Sequence, residues 1–140
     1  MPFVDIRYTE GSLGDDQLAG IADRITQAAI AAEGLADNAI SRSISVVTAG
    51  RHERLFVGGQ PARASRFLVT IRAFADAMDL AARETLVAEV TAAFVSECEA
   101  CRETGGHTVW CVIEELPAAT FAVGGRFVSL DQVRALTAAG

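Results

Sequence analysis

At 140 residues, 51% of them hydrophobic, the chain is long enough to bury one sizeable core, and its net charge of −6 without an arginine cluster argues against nucleic acid as a partner. Every basic residue is arginine, so the absence of lysine excludes Schiff-base chemistry. No apolar run approaches the roughly 20 residues that span a bilayer, and no basic-then-apolar leader opens the chain, so a cytoplasmic location and no membrane partner are expected.

The chain starts Met1-Pro2-Phe3-Val4-Asp5-Ile6-Arg7. Removal of Met1 ahead of proline would leave Pro2 as a secondary amine, a group no internal residue can supply. An α-amino group has a pKa of about 7.7–8.0, and burial or neighbouring cations lower it. That makes a general base near neutral pH. Residues 2 to 8 alternate as a strand, with Val4, Ile6 and Tyr8 on one face and Phe3, Asp5 and Arg7 on the other. A turn at Thr9-Glu10-Gly11-Ser12 leads to a predicted helix from Asp15 to Glu33, stopped by Gly34. A second strand is predicted over Ile40 to Thr48, then a polar loop from Ala49 to Arg54, then Leu55-Phe56-Val57-Gly58-Gly59.

The same order recurs. Phe67 to Phe74 reads as a strand, Asp79 caps a helix running to about Arg102, and Gly105-Gly106 ends it. His107 to Glu114 is a strand, and Phe121-Ala122-Val123-Gly124-Gly125 closes the half. Ile6-Arg7 corresponds to Ile71-Arg72, and Val57-Gly58-Gly59 to Val123-Gly124-Gly125, so the chain is a fused β-α-β repeat. The expected organisation is a single domain over 1–140: repeat 1 at 2–59, a linker at 60–66, repeat 2 at 67–128 and a tail at 129–140. The fold class is α/β (α+β in some schemes). The two units form one four-stranded sheet with two helices on one face, because strands this far apart in sequence pair in parallel through a crossover helix. The other sheet face, carrying Phe3, Asp5 and Arg7, needs a cover, and self-association supplies one.

Cys98, Cys101 and Cys111 are an odd set in a reducing compartment, so no disulfide framework is expected. With His107 they offer four soft ligands, but the spacing matches no standard zinc site, and ordinary burial is the expectation: no metal and no cofactor.

These residues resemble the tautomerase superfamily. The resemblance rests on Pro2-Phe3-Val4-Asp5-Ile6 with Thr9-Glu10-Gly11, and on Glu115-Leu116-Pro117 through Gly124-Gly125, which look like the start and the closing hairpin of 4-oxalocrotonate tautomerase. The doubled length, the stretch at 54–59, Trp110 and Gly125-Arg126-Phe127 are similar to the cis-3-chloroacrylic acid dehalogenase group. The resemblance implies a homotrimer with sheets facing inward and Pro2 as the catalytic residue. It implies proton transfer on a small carboxylate-bearing enol or α-keto acid, without a cofactor. The dehalogenase group's Glu, Tyr and His fall on Val123, Val112 and Ala29, which cannot activate water. Plain tautomerisation is therefore the first expectation. The alternatives are a non-catalytic trimeric binding module, or a divergent dehalogenase, hydratase or decarboxylase. The second half has internal Phe67 where Pro2 would sit, so its pseudo-site lacks a free amine.

Candidate substrate-binding residues are Arg72, Arg126, Arg7, Trp110 and Phe121. The arginines would clamp a carboxylate. The aromatics would wall a dry pocket. Each has a plainer reading: an internal ion pair with Asp5 for Arg7 and Arg72, an intersubunit contact for Arg126, and core packing for Trp110 and Phe121. His52, Arg51 and Arg54 read as a solvated loop with the makings of a lid. Glu114 and Glu115 are adjacent and point to opposite faces, so they cannot work as one acid–base pair.

Overall fold

A computed structural model describes residues 2–140. Two units of similar build meet in one sheet. The first runs β1 (Phe3–Thr9), α1 (Asp15–Ala32), a short α2 (Ala39–Ser43), β2 (Val46–His52), then a hairpin of β3 (Phe56–Val57) and β4 (Gln60–Pro61). The second runs β5 (Phe67–Phe74), α3 (Leu80–Glu97), a short α4 (Glu99–Glu103), β6 (Val109–Leu116), then a hairpin of β7 (Ala122–Val123) and β8 (Arg126–Phe127). A last helix, α5 (Leu130–Ala138), follows.

The sheet order is β2-β1-β5-β6. β1 runs parallel to β2, β5 runs parallel to β6, and β1 meets β5 antiparallel at the centre. The mixed sheet with its crossover helices is the α/β arrangement expected from the repeat. α1 and α3, 18 residues each, lie antiparallel on one face, tied by Gln17 Nε2 donating to the Glu97 carbonyl at 2.6 Å. Alternation sends Val4, Ile6, Val69 and Ile71 beneath these helices, where they are at most 1% exposed among Ile21, Ile25, Leu86, Val90 and Phe94. The opposite face is bare: Val46, Trp110 and Val112 are 45%, 58% and 54% exposed.

The first strand of each half ends in the same turn. The Ser12 N–H donates to the Thr9 carbonyl at 3.0 Å, and the Ala77 N–H to the Phe74 carbonyl at 3.1 Å. The third residue of each turn has a left-handed backbone: Gly11 at φ +76° and Asp76 at φ +65°. Glycine meets that demand without a steric cost; aspartate does not.

α1 ends in a Schellman motif. Gly34 takes φ +69°, its N–H donates to the Ala31 carbonyl at 3.0 Å, and the Leu35 N–H reaches the Ile30 carbonyl at 3.1 Å. This fixes Glu33 as the C-cap of the helix, 1% exposed.

Three local expectations need correction. Residues 39–43 are helical rather than extended, because Asn38 and Ser41 cap each other: the Ser41 N–H donates to Asn38 Oδ1 at 2.9 Å and the Asn38 N–H to Ser41 Oγ at 3.0 Å. β2 therefore starts at Val46 and continues through Ala49–His52, the segment expected to be a loop. Pairing with Ile6 to Thr9 draws these polar residues into an edge strand. The helix expected from Asp79 to Arg102 breaks at Cys98, whose backbone is extended at φ −121°, ψ 116°. Arg102 Nη1 donates to the Val95 and Ser96 carbonyls, each at 3.1 Å, and so occupies acceptors that the break leaves open. The break lets Cys98 and Cys101 both stay buried, at 3% and 0% exposure.

Candidate active site

Each end of the sheet carries an open cavity, and the two are related by the repeat. One, about 550 Å³, lies between Thr9, Glu10, His52 and the segment Pro61–Ser65, at the end where β5 begins. The other, about 620 Å³, lies between Phe74, Ala75, Asp76, Leu116, Phe127 and the start of α5. That is the end where β1 begins. Phe3 pairs with Arg72, so Pro2 stands one residue further towards Ala73 and Phe74. Pro2 is buried, and its carbonyl accepts the Val46 N–H at 3.2 Å.

Two non-glycine residues have a left-handed backbone among the described residues, Asp76 and Ala119 (φ +59°), and both line this second cavity. Such a backbone costs about 1–2 kcal/mol for an ordinary side chain and persists only where its surroundings impose it.

Arg72, Phe121 and Arg126 come to the Pro2 end of the sheet. Arg72 lies on the bare face, its Nε 2.7 Å from Glu114 Oε2 and its guanidinium 5.9 Å from the Phe3 ring. Phe121 meets Phe74 edge to face at 5.9 Å. Arg126 is exposed on β8, next to the cavity-lining Phe127. Arg7 and Trp110 do not come to this end. Both lie level with Leu68, four residues along the strands from the Phe3–Arg72 pair, or about 13 Å at the usual rise. Arg7 Nε donates to Asp5 Oδ2 at 3.2 Å, the pairing the sequence offers as its plainer role. Gly50 leaves room for that guanidinium, since a Cβ there would stand 2.8 Å from Nη1. Burial pushes the Asp5 carboxyl up, but the Thr48 hydroxyl and Arg7 outweigh it and hold it below the usual carboxylate range. Trp110 Nε1 donates to the His107 carbonyl at 3.2 Å. Arg51 and His52 belong to β2, and His52 Nε2 lies 3.2 Å from Thr9 Oγ1 beside the other cavity.

Two residues that sequence reasoning passed over belong to the Pro2 end. Burial pushes the Glu33 carboxyl up, while the positive charge of the chain's amino terminus and Arg134 pull it back. Arg134 lines the cavity from α5. α5 is seated by Val133, 2% exposed, and by Asn38 Nδ2 donating to the Thr137 carbonyl at 2.8 Å. The available signal for Glu33 was the repeat itself: the residue after α3, at the matching place, is the apolar Cys98.

Cys98, Cys101, His107 and Cys111 do not converge. Among the described residues no three His, Cys, Asp or Glu side chains form a group able to hold a metal ion. Burial pushes the Cys101 thiol up to about 12 and the Cys111 thiol up to about 11, so neither is a ready thiolate near neutral pH. No helix among the described residues is long and apolar enough to cross a membrane.

No protein-family model and no curated protein matches this chain. Solved structures do. An R7 fused 4-OT, a wild-type asymmetric trimer, superposes at TM-score 0.71 with 19% identity, covering 89% of this chain and 94% of its own. Leishmania major MIF2 superposes at 0.69 with 13% identity, covering 91% and 97%. N1, a member of the cis-3-chloroacrylic acid dehalogenase family, superposes at 0.69 with 14% identity, covering 91% and 83%. Identities this low speak for the backbone and not for the chemistry. With its two β-α-β units joined in one mixed sheet, the chain has the tautomerase-superfamily fold.

Proposed function

We propose that this chain is a cofactor-free tautomerase. It moves a proton on a small enol or α-keto acid through the secondary amine that Pro2 bears once Met1 is removed. The observation that supports this most is the place of Pro2: buried, immediately before β1, at the sheet end with a cavity of about 620 Å³ and two strained backbones. A rigid strand start holds the amine in one orientation, which is what proton transfer to a fixed carbon requires. Phe74, Leu116 and Phe127 give that cavity apolar walls. Arg126 and Arg134 stand nearby to take the substrate carboxylate, while Arg72 is already engaged by Glu114. In this reading Arg7 and Trp110 contribute only if a second chain brings them to the site.

The same reading makes the protein a homotrimer. Its bare sheet face exposes Val46, Trp110 and Val112 around the Asp5–Arg7 and Arg72–Glu114 pairs, a mixed apolar and ionic surface suited to copies of itself. The fused 4-OT that shares the fold is a trimer.

The test is ketonisation of 2-hydroxymuconate or phenylenolpyruvate by the wild type and Pro2→Ala, with the mass of the mature chain measured alongside. The expected result is a chain lacking Met1 and a loss of about 100-fold or more in Pro2→Ala. An unchanged rate in that variant, or a retained Met1 in active protein, would overturn the reading.

A further inference from the structure

One buried acid is not used by the function proposed above. Glu33 is 1% exposed, and no other Asp or Glu among the described residues is buried. Burying a carboxyl is costly unless something compensates, so its position calls for a reason. The repeat supplies one. Counted back from the two 18-residue helices, Pro2 and Phe67 hold the same place at the start of a central strand; counted forward, Glu33 and Cys98 hold the same place at the helix C-cap. In the second half this geometry is visible in side chains: the Phe67 ring packs 5.1 Å from Phe94, whose carbonyl accepts the Cys98 N–H at 2.8 Å. The start of the strand thus lies against the last turn of its helix. By the same construction Pro2 lies against the last turn of α1, where the Ala29 carbonyl accepts the Glu33 N–H at 3.1 Å. The half that has an amine has a carboxyl there, and the half that has none has a thiol.

Resting on the proline-amine reading above, we infer that Glu33 is the positioning residue for the Pro2 amine: its carboxylate holds that amine as an ammonium, so that the site begins its cycle by giving a proton away. The charged groups around the pair are few. Arg134 on α5 acts on the Glu33 carboxyl from the cavity side. Arg42 on α2 is held at the surface by Asp37 at 2.6 Å and by Asp23 at 2.8 Å. Asp76 and Asp131 line the cavity and add negative charge on the amine's side, which also favours the ammonium. In the cycle the ammonium N–H bond breaks as a C–H bond forms at the enol carbon, the enol O–H proton passes to water, and a proton from water restores the ammonium. The substrate gains a proton on carbon and loses one from oxygen. The favoured substrate is therefore an enol or dienol acid that accepts a proton.

The experiment titrates the amine directly. Protein labelled with 15N-proline and freed of Met1 is followed by NMR in the wild type, Glu33→Gln and Glu33→Asp. The amine pKa is expected to fall by about one unit or more in Glu33→Gln and to stay near the wild-type value in Glu33→Asp. The alkaline limb of kcat/KM for ketonisation of phenylenolpyruvate should move to lower pH by the same amount. An amine that titrates at the same pH in wild type and Glu33→Gln overturns the inference. Should Glu33→Gln not fold, the 13C-carboxyl signal of Glu33 in the wild type decides: a second inflection at the amine's pKa supports the pairing, and its absence overturns it. If Pro2→Ala keeps full activity, the catalytic reading fails while the titration still reports on the pair, so the two failures are distinguishable.

Discussion

At the start of β5 the chain places Phe67, its ring against Phe94, with Cys98 at the end of the helix beside it. At the matching place in the first half stand Pro2, Ala29 and Glu33. The backbones run alike and the chemistry does not. The second half closes its strand start with aromatic rings, which is the stabilising choice. The first half spends that position on a small ring, a methyl group and a buried acid. A similar contrast recurs one turn away, where Gly11 meets a left-handed backbone at no cost and Asp76 meets it under strain, beside the Pro2 cavity. Departures from the stable solution gather at one end of the sheet, the end at which the proposed site lies.

Four substitutions break or sharpen that contrast. Pro2→Ala should have the largest effect on activity, a loss of about 100-fold or more in ketonisation, with a thermal midpoint close to wild type. Its counterpart Phe67→Ala should do the reverse: a loss of about 3–5 kcal/mol in urea unfolding, because a fully buried ring leaves a cavity beside Phe94.

Glu33→Gln comes next and is read as a pH dependence. The folded carboxyl titrates above its unfolded value, so the native state holds a proton that the unfolded chain has already released. Stability from this group is therefore complete below the unfolded pKa and is lost as pH rises through the folded one. Urea midpoints measured from pH 4 to 8 should fall less steeply for Glu33→Gln than for the wild type. Asp5 works in the opposite sense: its carboxyl is held low, so its contribution is present above the unfolded value and is lost as the solution is acidified. The smallest effect belongs to Asp76→Gly, which copies the first half's turn into the second and should raise stability by about 0.5 kcal/mol. A destabilised Asp76→Gly would mean that the aspartate is held by contacts stronger than its backbone strain.

Much of this molecule is legible in its sequence. The alternation of Val4, Ile6 and Tyr8 against Phe3, Asp5 and Arg7, the helix start at Asp15 and the cap at Asp79 are local matters of side-chain period and hydrogen bonding, and they appear as expected. β5 occupies Phe67 to Phe74, as its run of apolar and β-branched residues, interrupted by Arg72, predicts. The pairing of Asp5 with Arg7 follows from two charges on one strand face.

Other features depended on hydrogen-bond partners that the apolar pattern does not show. Ile40 and its neighbours resemble a strand until Asn38 and Ser41 cap them, and Ala49–His52 read as loop until β1 offers its edge. The helix expected to reach Arg102 breaks at Cys98, where two thiols are buried together. The candidate site divides in the same way. Pro2 is visible in the first two letters of the chain because the proposed chemistry belongs to a terminus, and the repeat is visible because both copies are written out. That Arg72 reaches the Pro2 end was decided by the antiparallel pairing of β1 with β5, whereas Arg7, on β1 itself, stands about 13 Å along the strand from the Phe3–Arg72 pair. Glu33 was decided by the return path of α1. Thirty-one positions separate it from Pro2 in the sequence, and only a crossover helix running back along its strand brings a helix end to a strand start.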